Sequence, residues 1–376
     1  MRVLLDATAV PADRGGVGRY VDALAPELAR LVSVTVACRA ADAAMFAAVG
    51  AEPIPVGAAE RSRGARLAWE QTGLVGLVRR LRPDVLHCPH YTLPLVHNVP
   101  TVVTLHDATF FSHPELHSRL KRRFFRTATR AAVRRADALV VPSRATGSEI
   151  ARFTGVAVGR FCVAYHGVDS AHFHPTDETE RRRVRAALDL DGPYVAFLGT
   201  LEPRKNAAAL VRGWAMAVAG RPVPPALVLA GGQGWDPTIE PAVREVARRW
   251  PQLRVLRPGY LPLADLPGFL AGAEVVAYPS LGEGFGLPVL EAMASGAAVL
   301  TTRELALPEV GGDTVAYSGT SAEEIGTSLA ELLDSPGRRA DLAAAAMRRA
   351  GTFTWAASAR AHLAAYERAA SRRASM

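Results

Sequence analysis

The chain has 376 residues, 49% of them hydrophobic and 21% charged, with a formal net charge of +8. That length exceeds one hydrophobic core and implies two domains, the composition is that of a folded, soluble protein, and no apolar run reaches the roughly 18 residues that cross a bilayer. The positive balance implies an anionic partner, for which nucleic acid, acidic lipid and phosphorylated small molecules all qualify.

The first predicted strand covers residues 2–8. Its opening, Met1-Arg-Val-Leu-Leu-Asp6, puts an acid where a signal peptide would continue its apolar stretch, so a cytoplasmic protein is expected. Cys38, Cys88 and Cys162 are odd in number and scattered, which reads as reduced, structural thiols. Gly15-Gly16-Val-Gly18 follows as a loop before a helix, either an ordinary turn or a place where backbone approaches a ligand closely. It is not a dinucleotide fingerprint, because Val21 stands where the third glycine belongs. The second strand, residues 32–38, also ends at Arg39 and not at an acid.

Further strands are predicted at residues 85–88, 101–105, 138–142 and 161–164. His106-Asp107 closes the strand 101–105; a histidine there serves proton transfer or donates a hydrogen bond to a sugar hydroxyl or carbonyl, or is simply structural. Six of the ten histidines lie between His87 and His117, but Pro114 breaks the helical spacing of His113 and His117, and no second cysteine stands near Cys88. A metal site is therefore not expected. Residues 119–135 read as a helix with Arg123, Arg126, Arg130 and Arg134 on one face, either solvated or laid on an anionic membrane. Nucleic-acid binding lacks support, since aromatics are 7% and do not interleave with the basic runs.

After Pro175 the pattern restarts, with strands predicted at residues 194–199, 226–230, 254–257, 275–278 and 298–301. Strand and helix alternate in both halves, which implies parallel sheets covered by helices on both faces. The expected organisation is residues 1–172, residues 173–354 and a closing helix over 355–376. Asp189-Leu-Asp191 precedes a strand and reads as a solvent loop, not a metal motif.

Unusual residues cluster at strand carboxyl ends, where open parallel sheets bind ligands. Arg204-Lys205-Asn206 follows the strand 194–199. Asn206 is expected as N-cap of a helix, and two cations at its positive end are misplaced unless an anion lies there, the alternative being solvated basic residues. Each charge-assisted contact to that anion contributes about 1.5–3 kcal/mol. Gly231-Gly232 follows the strand 226–230. Glu283-Gly-Phe-Gly-Leu-Pro-Val-Leu-Glu291 follows the strand 275–278; Pro288 suits the first helical position, and the loop before it would point backbone N–H groups at a phosphate. Glu283 and Glu291 would then flank that anion, one suited to a sugar and the other to a ribose; the alternative is a surface loop followed by a helix with a solvated glutamate.

With these motifs in place the chain resembles the large retaining glycosyltransferase family of the GT-B fold that carries the Glu-x7-Glu motif, glycosyltransferase family 4, which includes many bacterial mannosyl- and glucosyltransferases. The similarity rests on Leu105-His-Asp107, Pro142-Ser-Arg144, His166-Gly-Val-Asp169, Gly199-Thr-Leu-Glu-Pro-Arg-Lys-Asn206, Ala230-Gly-Gly232, Tyr278-Pro-Ser280 through Glu291-Ala-Met-Ala-Ser-Gly296, and Leu307-Pro-Glu-Val310. The resemblance implies an α/β architecture of two doubly wound Rossmann-like domains facing across a cleft, the first binding acceptor and the second binding donor, with the segment from Phe353-Thr-Trp355 onward crossing back onto the first. It implies that Arg204 and Lys205 hold the diphosphate and that Glu283 contacts the donor sugar, helped by the backbone of Phe285, Gly286 and Leu287. Glu291 would bind the ribose, Tyr260-Leu261 would lie near the nucleobase, His106 would reach sugar or acceptor, and Gly15-Gly16 would approach the phosphates. Thr200 departs from the family, where arginine is common, so Arg204 would have to supply that charge.

The function expected from the resemblance is metal-independent, retaining transfer of a hexose from a nucleotide sugar, with no cofactor, in polysaccharide or glycoconjugate synthesis. GDP-mannose is favoured, with UDP- and dTDP-sugars open, and the acceptor is a glycan, a lipid-linked glycan or a small molecule. A nucleotide-sugar epimerase, a phosphorylase and a non-catalytic nucleotide-sugar-binding partner remain the alternatives. The expected location is cytoplasmic, with peripheral contact at the inner membrane face left open.

Overall fold

In the computed structural model, which describes residues 1–10, 14–58 and 62–375, every strand pairing is parallel. The chain forms two units. The first runs from Met1 to Gly167 and resumes from Thr354 to Met376; the second spans Val168 to Phe353. Residues 168–172, read from sequence as the end of the first domain, fold with the second, where the Val168 N–H donates to the Phe353 carbonyl at 3.0 Å.

The first unit holds β1 (Arg2–Asp6), β2 (Ser33–Cys38), β3 (Glu52–Pro55), β4 (Val85–Cys88), β5 (Thr101–Thr104), β6 (Ala138–Val141) and β7 (Phe161–Val163), ordered β3-β2-β1-β4-β5-β6-β7. Short apolar runs form these strands because helices cover both sheet faces, leaving no solvated side to require polar alternation. Successive side chains serve opposite faces. Val3 and Leu5 join one core with Tyr20, Leu24 and Tyr366, while Leu4 joins another with Leu74, Leu86 and Ile150. The C-terminal helix Trp355–Ala374 belongs to the first of these cores through Ala359, Ala365, Tyr366 and Ala369. It enters beside Gly167, where an added Cβ would lie 2.2 Å from the Trp355 nitrogen.

The second unit holds β8 (Tyr194–Leu198), β9 (Ala226–Ala230), β10 (Val255–Gly259), β11 (Val275–Tyr278), β12 (Val299–Thr302) and β13 (Ala316–Ser318), ordered β10-β9-β8-β11-β12-β13. Behind this sheet the helices Ala207–Val218 and Ala322–Leu333 come together at Gly213 and Gly326, and a Cβ on Gly213 would stand 2.4 Å from the Ala322 carbonyl oxygen. Both units are thus doubly wound α/β structures, as anticipated. Two strands were not anticipated, β3 and β13. β3 reads Glu-Pro-Ile-Pro and lies at a sheet edge, where a proline's missing N–H goes unmissed. Among the described residues no helix is long and apolar enough to cross a membrane.

Candidate active site

In the second unit the strand order reverses between β8 and β11, the switch point at which two successive connections leave in opposite directions and open a crevice at the strand ends. The segment after β8 makes a short turn at Pro203–Lys205 before the helix Ala207–Val218. The segment after β11 carries Ser280 and Glu283 and then enters the helix Leu287–Ala294. The two segments are stitched together, because the Leu281 N–H donates to the Arg204 carbonyl at 2.8 Å. Two threonines of β12 brace the second one: Thr301 Oγ1 donates to the Tyr278 carbonyl at 2.8 Å and Thr302 Oγ1 to the Ser280 carbonyl at 2.6 Å.

This framework brings Arg204, Lys205 and Glu283 together. Lys205 Nζ lies 2.6 Å from Glu283 Oε1, and Arg204 Nη1 contacts Glu283 Oε2. Arg204 Nη1 also donates to the Gly282 carbonyl at 2.7 Å, and Glu202 stands 3.7 Å from Arg204 Nη2. Lys205 Nζ donates to the Tyr278 hydroxyl, whose own proton goes to Glu283 Oε1 at 2.9 Å. Burial alone would raise the Glu283 carboxyl; the Arg204 and Lys205 charges, with hydrogen bonds from Lys205 and Ser280, outweigh it and hold the group at about 2. Burial and Arg204 lower the Lys205 ammonium, against the pull of Glu283. Glu283 is therefore an anion among cations, and the conflict of two positive charges at a helix start is met in the protein by a carboxylate.

The other site residues of the second unit bring two corrections. Asn206 occupies the N-cap position but in the left-handed conformation, φ 57°, and makes no side-chain cap; its Nδ2 donates instead to the Thr320 carbonyl at 2.8 Å. Pro288 is the second helical residue, because the helix begins at Leu287 after Gly286, φ 108°. Only glycine takes that conformation at little cost, and it turns the chain sharply into the helix. Phe285, in the loop, and Glu291, on the helix, are both buried. Tyr260, directly after β10, is 74% exposed and leans on Gly232, where a Cβ would come within 2.8 Å of its hydroxyl. Leu261 beside it is half-buried. Tyr278, Ser280 and Glu202 belong to the same cluster; they stood inside the motifs that carry the resemblance, but sequence assigned them no role. Beyond that membership their signal was position, at the end of β11 and beside Arg204.

The remaining site residues lie in the first unit. Gly15 caps and Gly16 begins the helix Gly16–Ala29, and among the described residues a Cβ on Gly16 would meet nothing within 4 Å. His106 follows β5, and its Nε2 lies 2.6 Å from the Pro89 carbonyl. A carbonyl can only accept, so Nε2 carries the proton and Nδ1 keeps a lone pair. Burial lowers the imidazole to about 4 despite that bond, so it is neutral near pH 7. Its ring meets Tyr20 edge-on at 4.8 Å and lies 6.0 Å from His166.

Known proteins are similar to this chain in sequence and in architecture. The sequence model of Glycosyltransferase Family 4 matches residues 14–172, and that of Glycosyl transferases group 1 matches residues 192–335. The D-inositol 3-phosphate glycosyltransferase of Xylanimonas cellulosilytica is 31% identical over 405 residues, covering 96% of this chain and 93% of its own. The O-antigen chain mannosyltransferase B of Escherichia coli is 28% identical over 307 residues, covering 81% of this chain and 77% of its own. Among solved structures, sucrose-phosphate synthase of Thermosynechococcus elongatus superposes with a TM-score of 0.78 at 20% identity, over 98% of each chain. HepE of Anabaena, in complex with UDP and glucose, gives 0.75 at 20% identity, over 97% of this chain and 98% of its own.

Proposed function

Because the chain belongs to glycosyltransferase family 4 of the GT-B fold, we propose that it transfers mannose from GDP-mannose, with retention and without a metal or other cofactor, to a hydroxyl of a glycan, lipid-linked or small-molecule acceptor. The observation that carries this reading is the convergence of Arg204, Lys205 and Glu283 at the switch point between β8 and β11. Arg204 and Lys205 would neutralise the charge that develops on the leaving diphosphate, the role donors play in an oxyanion hole. N–H groups at the start of the helix Leu287–Ala294 would add to them. Glu283 would hold the donor sugar, Glu291 the ribose, and Tyr260 with Leu261 the base. Gly15 and Gly16 would border the phosphates.

In the step we favour, the acceptor oxygen bonds to the anomeric carbon on the face from which diphosphate departs, and a departing phosphate oxygen takes the acceptor proton. His106, neutral and with Nδ1 unprotonated, would accept a hydrogen bond from a sugar or acceptor hydroxyl and would not donate one. The mannose preference is supported by the likeness to a mannosyltransferase, while UDP-glucose is the chief competitor because HepE was solved with UDP and glucose. We also propose peripheral contact with an anionic membrane through the basic helix Arg119–Arg135.

Thermal-shift measurement against GDP-mannose, UDP-glucose and dTDP-glucose tests the donor. The expected outcome is the largest rise with GDP-mannose; a larger rise with either other sugar overturns that assignment. The anomeric configuration of the product, read by NMR, tests retention.

A further inference from the structure

Glu283 has two carboxylate oxygens, and the protein treats them differently. Oε1 receives Lys205 Nζ at 2.6 Å, Ser280 Oγ at 2.7 Å and Tyr278 Oη at 2.9 Å. Oε2 meets the Arg204 guanidinium. A carboxylate offers about four lone-pair positions over both oxygens, so three donors leave Oε1 no room for a ligand hydroxyl. All three donors are held from behind. Tyr278 ends β11 fully buried with its ring stacked on Phe197, and Ser280 is buried under the Thr302 bond. Lys205 is fixed by the Tyr278 hydroxyl, which accepts from Nζ while donating to Oε1.

We propose that Tyr278 and Ser280 are positioning residues that clamp Oε1 of Glu283, so that Oε2 alone is presented to a hydroxyl of the donor sugar. This rests on the reading of Glu283 as the donor-sugar ligand. The clamp also says how the site changes on binding: Oε2 is held by a long, polar side chain that a diphosphate attracts more strongly. Donor binding turns Arg204 from Glu283 toward phosphate and frees Oε2 for the sugar, while Oε1 stays fixed. The groups facing Glu283 are Arg204 and Lys205 from the turn after β8, and Tyr278 and Ser280 from β11 and its extension, with Glu202 3.7 Å from Arg204.

A double-mutant cycle tests this, because it separates action through Glu283 from general damage to the fold. Tyr278→Phe and Ser280→Ala are each made in the natural chain and in Glu283→Gln, with kcat and donor KM measured and thermal midpoints recorded. The clamp predicts that each lowers kcat about tenfold in the natural background, equivalent to about 1.4 kcal/mol, with KM changed less than about threefold. In the Glu283→Gln background each penalty shrinks below about twofold, and Ser280→Thr restores the rate. Equal penalties in both backgrounds, or none in the natural one, overturn the clamp. If Tyr278→Phe does not fold, the Ser280→Ala and Ser280→Thr pair decides the matter alone. Near-normal turnover of Glu283→Gln would instead overturn the donor-site reading itself.

Discussion

His362, on the helix Trp355–Ala374, lies 2.7 Å from the hydroxyl of Tyr20 on the helix Gly16–Ala29, so the last helix of the chain is bonded to the first. His362 Nδ1 faces the Ser358 carbonyl at 2.8 Å, which fixes the proton on Nδ1 and makes Nε2 the acceptor. The remaining directions follow. Thr104 donates to Tyr20 at 3.0 Å, His87 Nε2 to Thr104 at 2.9 Å, and the Tyr366 hydroxyl to His87 Nδ1 at 2.9 Å. The run of bonds starts at Tyr366 and ends at Ser358, both on the C-terminal helix, and locks that helix to β4 and β5.

Tyr366→Phe is therefore expected to lower stability by about 1–3 kcal/mol, because it leaves a buried imidazole nitrogen without its donor. His362→Ala should cost more, since it adds a cavity. Chemical denaturation midpoints check both, and unchanged midpoints would remove the lock.

Acid should weaken the first unit for the same reason. Burial lowers His87, His90, His106, His166 and His362, to about 3 for His90 and about 4 for His106 and His362. An unfolded histidine titrates near 6.5. Between about pH 6.5 and pH 4 the unfolded chain thus binds protons that the folded one refuses. Stability is complete above that window and falls as pH drops through it, by up to about 1.4 kcal/mol per pH unit for each histidine. Thermal midpoints recorded from pH 7.5 to pH 4.5 should fall steeply below pH 6.5; a flat profile would mean that these rings are hydrated.

Substitution at the candidate active site should separate chemistry from folding. Lys205→Ala and Glu283→Ala are each expected to reduce transfer at least a hundredfold, on the order of 2.7 kcal/mol in the barrier. Both side chains are about nine-tenths buried and paired, so either truncation also leaves a charge without its counterpart and costs stability, on the order of 3 kcal/mol. Glu283→Gln, which keeps the shape of the side chain but not its charge, should keep a folded protein while losing turnover. Rates set beside thermal midpoints check this; full activity in Lys205→Ala would remove that lysine from the site.

Much of this site is legible in the sequence, for a physical reason. Arg204, Lys205 and Glu283 each stand at a strand's carboxyl end, and the alternation of apolar runs and helices locates those ends. What sequence could not show was pairing across distance. The two cations looked unmatched because Glu283 is 78 positions away, and only the adjacency of β8 and β11 brings them together. Tyr278 read as the last residue of a strand, since nothing local marks a hydroxyl that bridges lysine and carboxylate. β3 was hidden by Pro53 and Pro55, which deplete strand signal except at an edge. Asn206 looked like a side-chain cap because its type favours one, but its amide is drawn to Thr320 and its backbone takes the left-handed turn.

The helix Arg119–Arg135 supports one last prediction. It contains no acid, and among the described residues no carboxylate pairs with Arg123, Arg130 or Arg134, all of which are exposed. Arg126, grouped with them from sequence, turns inward and donates to the Phe110 carbonyl at 2.6 Å. Phe124 is 37% exposed, and Leu120 is 82% exposed one turn earlier. Apolar side chains set among cations suit the boundary of an anionic bilayer, where each basic residue contributes about 1 kcal/mol and the apolar groups can bury. The protein is therefore expected to float with phosphatidylglycerol-containing vesicles and not with pure phosphatidylcholine. Arg123→Glu with Arg130→Glu should abolish flotation, Leu120→Ser with Phe124→Ser should weaken it, and salt should oppose it by screening. Equal behaviour on both vesicle types would leave the helix as a solvated face.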